Sequence, residues 1–199
     1  KKILNDSDVC FDPLHLNDIQ KLSENEIKLI NTKISLTSEN ILILSFRSLD
    51  MIIFYDLDNE RINHIIVDLF SKQHSPRLHK DGFLYVFDNN NGANSKIVKI
   101  DIENNTIIGT FETENFISPI RGRLQFLGND LFVQSSTQGE IFKIVCEKNY
   151  FDNCKAKYLY SSNFNFFYPS NTYDKNFSFK KDGIYIGDFY EKEKIKFID

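Results

Sequence analysis

Four apolar hexapeptides recur along this chain in one context, and that recurrence limits the fold more than any single motif does. They are MIIFYD (51–56), KIVKID (96–101), EIFKIV (140–145) and KIKFID (194–199). Across a turn ahead of each stands a second apolar run: ILILS from Ile41, FLYVF from Phe83, DLFVQ from Asp130 and GIYIG from Gly183. Those starts lie roughly 40–50 residues apart, a period at which several strands make one unit of a β-propeller. A solenoid of that period needs helices, and no stretch sustains the 3.6-residue spacing of one.

A whole unit can be written out from the pattern. Its innermost strand is NDIQKL, SPRLHK, GRLQFL or NFSFKK, followed by the apolar run and then the hexapeptide. An outer strand follows as INHIIVD (62–68), TIIGTFE (106–112) and KYLYSS (157–162). Asp81-Gly82, Asn89 to Gly92 and Asn104-Asn105 separate the runs of the second unit, supplying residues that tolerate positive φ in tight turns. Units are expected over residues 15–68, 74–112, 121–162 and 175–199, with 23–40 an insertion in the first. The expectation is one all-β domain, a β-propeller with about four blades in this chain. An unclosed fan would leave two open sheet edges, so missing blades of the same propeller are expected as partners.

Composition agrees: Phe (19) and Tyr (9) suit half-buried pleated surfaces, and Ala, the best helix former, occurs only at 93 and 156. A net charge of −4 with both signs interspersed offers no basic surface for nucleic acid. No apolar run approaches the roughly 20 residues of a membrane helix. No P-loop, HExxH or G-x-S-x-G is present, no CxxC marks a zinc site, and no cofactor is expected. Cys146 and Cys154 bracket EKNYFDN, a hairpin-like loop; a cross-strand disulfide in an oxidising compartment and two free thiols are both open readings.

Inner strands begin at one mouth of a propeller's channel, so residues just before them converge. His15 stands four residues before Ile19, His74 four before Leu78, and Arg121 and Arg123 flank the start of the third inner strand. Imidazoles and forked guanidiniums gathered there would hold an oxyanion. Arg47 ends the ILILSF run, where it is either a surface charge or a channel residue. Any one of these side chains could equally serve only to hydrogen-bond neighbouring blades. Asp88 and Asp101 read as turn caps, and His64 and His79 as structural.

DPLHLNDIQ (12–20), LSFRSLDMIIFYD (44–56), QHSPRLHKDGFLYVFDNNNG (73–92), SKIVKID (95–101) and FISPIRGRLQFLGNDLFVQSSTQGEIFKI (116–144) carry a resemblance. Their order and spacing resemble the arylsulfotransferase family over about residues 12–146. That resemblance implies a six-bladed, extracytoplasmic or periplasmic propeller that moves a sulfuryl group between phenols. By motif it places His15 and His74 on catalytic histidines, Arg47 on a motif arginine and Lys96 where the family has a pocket arginine; Asn17, Arg121 and Arg123 are expected beside them as substrate-binding residues. Three departures stand out, the first being that the family's Ser-Arg-His pattern reads Phe46-Arg47-Ser48 here. The family's sulfated histidine belongs to a later blade, and no histidine follows His79 here. Lys96 brings a point charge where the family has a guanidinium fork. The expected ligand is a small anionic aromatic molecule such as an aryl sulfate; the alternative is a non-catalytic propeller serving as a binding scaffold. A quinone-cofactor propeller is disfavoured, since the chain has no Trp.

Overall fold

The computed structural model describes residues 12–147 and 151–161. Cys10 and the expected fourth unit, 175–199, lie outside the described residues. Within them are three four-stranded sheets, each with its strands in chain order and each pair antiparallel. The first holds β1 (Leu16–Lys21), β2 (Ile41–Phe46), β3 (Met51–Asp56) and β4 (Arg61–Val67). The second holds β5 (His74–Leu78), β6 (Leu84–Asp88), β7 (Lys96–Asp101) and β8 (Thr106–Phe111). The third holds β9 (Arg123–Leu127), β10 (Asp130–Ser135), β11 (Glu140–Cys146) and β12 (Cys154–Ser161).

Alternation along the strands decides how the sheets stack. Ile41, Ile43, Ile52, Phe54 and Ile66 of the first sheet bury against Leu84, Val86, Val98 and Ile100 of the second. The intervening residues Tyr85, Phe87 and Ile97, with Phe111, turn the other way onto Leu124, Leu131, Val133, Phe142 and Ile144 of the third. All five residues of β6 are therefore buried. A strand covered on both faces reads as an unbroken apolar run, which is why LYVFD shows no alternation. Each fully buried side chain of this kind stabilises the fold by about 1.5–3 kcal/mol.

The insertion carries a helix that the spacing does not announce. α1 (Glu24–Ile30) is capped by Ser23, whose side chain accepts from the Glu26 N–H while the Glu26 carboxylate accepts from the Ser23 N–H. Its Ile27 and Ile30 are buried in the first core. Seven residues are too few for a periodic apolar stripe to emerge, but the Ser-x-x-Glu capping box is legible in the sequence.

The innermost strands β1, β5 and β9 lie side by side. The Asn17 amide donates to the Gln73 carbonyl at 2.7 Å, and Arg77 pairs with Asp18 at 3.0 Å. On the other side Ser75 Oγ accepts from the Leu124 N–H at 2.9 Å. These links run from sheet to sheet and tie β1, β5 and β9 together.

Candidate functional site

Each inner strand is entered through a left-handed residue. His15 has φ 48°, Ser75 50° and Arg121 65°. Beside two of them the pairing is bulged, between Leu16 and Asp18 and between His74 and Arg77. Bulges re-aim side chains at strand ends, and here they occur where the three sheets meet.

His15 is tied to its own loop. Asp12 accepts from its N–H at 2.7 Å and stands 3.3 Å from its ring Nδ1. Its carbonyl accepts from the Arg47 N–H at 2.9 Å, so the two residues are neighbours through the backbone. Arg47 opens a 3-10 turn (Arg47–Leu49) directly after β2.

His74 is the more enclosed imidazole. Burial pushes its proton affinity below that of an ordinary histidine; hydrogen bonds to Asn89 and the Lys72 carbonyl oppose that, and the charges of Arg47 and His15 reinforce it. Arg47 and His15 thus lie near enough to His74 to act on it electrostatically. The neutral form of His74 is favoured as a result.

Arg121 reaches the same neighbourhood through its backbone. Its carbonyl accepts from Asn89 Nδ2 at 2.7 Å, and the Asn89 Oδ1 stands 2.7 Å from His74 Nδ1. Gly122 makes this approach feasible: it has φ 142°, and a Cβ there would lie 2.6 Å from the Phe87 ring. Phe87 is the cross-strand partner of His74. Arg123 begins β9 beside them.

Lys96 is placed differently. It begins β7, two strands outward from β5, and its ammonium lies 3.7 Å from the Asp88 carboxylate. Asp88 is 2% exposed and accepts from the Ser71 and Asn90 N–H groups; burial nevertheless raises its carboxyl above the usual range. The lysine therefore answers a buried charge. Asn17, too, is engaged structurally by its bond to Gln73, and its Oδ1 is buried without a partner among the described residues.

Two residues that pattern reading missed hold the site together. Gln73 is fully buried, and its amide nitrogen lies within 3.2 Å of Ser45 Oγ and the Phe46 and Met51 carbonyls. Asn89, equally buried, spans from His74 to the loop ahead of β9. Both sit beside motif residues, in Gln73-His74 and Asp88-Asn89, and adjacency was the available signal. Among the described residues no group of His, Cys, Asp and Glu could hold a metal ion. A shallow recess of about 240 Å³ lies elsewhere, lined by Asn25, Leu78, His79 and Phe126 near the far end of β5.

The profile of arylsulfotransferase (ASST) matches residues 1–150, three quarters of the chain. The chain belongs to the arylsulfotransferase family. Among solved structures, a chain of hydrazine synthase from Kuenenia stuttgartiensis is similar at 14% identity and a TM-score of 0.45. The alignment covers 61% of this chain and 33% of that one, so this chain spans about a third of that protein's length. No curated protein matches. In this chain a backbone hydrogen bond joins Arg47 to His15, and Asn89 joins His74 to the Arg121 carbonyl.

Proposed function

We propose that the three sheets are blades of an arylsulfotransferase-type β-propeller, and that their shared mouth binds the sulfate or other anionic group of an aromatic ligand. The observation that carries this is the convergence of His15, Arg47 and His74, with Arg121 one sheet further round. Four such cationic or protonatable groups would concentrate positive potential where an oxyanion would sit. Arg47 and Arg121 would supply forked, charge-assisted hydrogen bonds, and His74 would gain its proton as the anion arrives.

Family membership extends the proposal to sulfuryl transfer between phenols, with His74 as the acid–base group: the proton gained beside the bound sulfate passes to the departing phenol oxygen, and the neutral ring then takes one from the accepting phenol. Its Nε2 has no hydrogen-bond partner among the described residues and is not among the fully buried atoms. An uncommitted ring nitrogen is what nucleophilic or acid–base chemistry requires. The extracytoplasmic placement belongs to the same proposal. No helix among the described residues is long and apolar enough to cross a membrane.

Titration calorimetry with 4-nitrophenyl sulfate tests binding. Phenol added as acceptor, with release of 4-nitrophenol followed by absorbance, tests transfer. Heat without release would limit the function to binding. The absence of both would leave the scaffold reading.

A further inference from the structure

The Asn89 side chain can adopt only one orientation. Its Nδ2 donates to the Ser118 carbonyl and, at 2.7 Å, to the Arg121 carbonyl. Carbonyl oxygens only accept, so the amide nitrogen must face them and Oδ1 must face the opposite way. Oδ1 lies 2.7 Å from His74 Nδ1. It too only accepts, and so does the Lys72 carbonyl, 3.1 Å from the same ring nitrogen. The proton of neutral His74 therefore sits on Nδ1.

We propose that Asn89 is the positioning residue of this site, holding His74 as the Nδ1–H tautomer so that Nε2 presents a bare lone pair to a hydroxyl-bearing ligand such as a phenol. Free imidazole side chains in water favour the opposite tautomer, so the arrangement is imposed by the protein. It is imposed across a seam: His74 lies on the second sheet and Asn89 directly follows its β6, while Ser118 and Arg121 lie in the loop leading to the third. Docking of that loop sets the amide, and the amide sets the imidazole. Burial of His74, with Arg47 and His15 nearby, favours the neutral ring and so the availability of the lone pair. The ligand's chemistry rests on the reading of the mouth given above; the tautomer does not.

Long-range proton–nitrogen correlation spectra of the full chain, labelled with 15N-histidine at pH 8, decide the matter. The chain has four histidines, and His74→Gln assigns the relevant signals by their loss. The expected pattern for His74 is a pyrrole-type Nδ1 and a pyridine-type Nε2. Asn89→Ala should move its population towards Nε2–H, whereas Asn89→Asp, which keeps an acceptor, should retain Nδ1–H. A wild-type spectrum showing Nε2–H overturns the proposal even if neither variant folds. So does an Asn89→Ala spectrum, in folded protein, with the wild-type tautomer. Phenol titrated into the labelled wild type should shift Nε2 alone. An unmoved Nε2 with the tautomer intact overturns the acceptor role and locates the failure in the ligand assignment.

Discussion

Ser75 Oγ accepts from the backbone N–H of Leu124 at 2.9 Å, so a hydroxyl on one inner strand completes the hydrogen bonding of the next. Both residues are buried, at 2% and 0% exposure, and Ser75 holds φ 50°. Ser75→Ala should leave that N–H unsatisfied and cost roughly 1–3 kcal/mol. Ser75→Gly loses the same bond but relieves a left-handed backbone that costs about 1–2 kcal/mol for a residue with a Cβ. Urea unfolding should rank the wild type above Gly and Gly above Ala. Equal midpoints for wild type and Ala would remove the seam bond from the account.

Binding at the mouth should depend on pH in one direction. His74 binds its proton weakly in the free protein, and an oxyanion favours the protonated form. Affinity for 4-nitrophenyl sulfate should therefore rise as pH falls through the interval between the ligand-bound pKa and the lower free one. His74→Gln should flatten that rise. Arg47→Ala and Arg121→Ala should each weaken binding by roughly 1.5–3 kcal/mol where the guanidinium bonds the sulfate directly. Calorimetry at several pH values reads all of these.

Asp56, fully buried at the end of β3, predicts an acid response of the fold. Burial alone would raise its carboxyl, but hydrogen bonds from Thr37, Asn59 and Ser38 outweigh that and hold it well below the usual range. A depressed carboxylate contributes fully above its unfolded value of roughly 3.9 and loses that contribution as pH falls through the folded one. Asp56→Asn should be less stable than wild type at neutral pH, with the gap narrowing below about pH 4. Chemical unfolding at pH 7, 5 and 3 measures it, and a gap independent of pH would contradict the assignment.

Cys146 and Cys154 are cross-strand partners on β11 and β12, with sulfurs bonded and Cα atoms 4.0 Å apart. That spacing is tighter than the usual 4.4–6.8 Å. An oxidising compartment would keep this pair closed. Alkylation without reductant, followed by mass spectrometry, should then label one cysteine of the three, and all three after reduction. Complete labelling without reductant would argue for a reducing compartment and against the extracytoplasmic proposal.

Strand positions were legible because their causes are local. KIVKID and EIFKIV, expected as third strands, coincide with β7 and begin β11, since alternating apolar residues and Asn- or Gly-bearing turns act within a few residues. Asp88 and Asp101 cap turns for the same reason, accepting from Asn90 and Glu103 two residues on. α1 escaped notice because one capping box was its main local sign. Of the candidate site, the motif order marked residues but not their relationships.

The sequence by itself determined the meander, its period and the residues at each inner-strand start, because the pleat and the turn chemistry act over short distances. Only the tertiary structure decided what those residues do. Lys96 answers Asp88, Gln73 fills the seam, and His74 receives its tautomer from Asn89 through carbonyls some thirty residues away. Hydrogen-bond direction and burial depend on which groups meet across sheets, and no spacing along one chain specifies that.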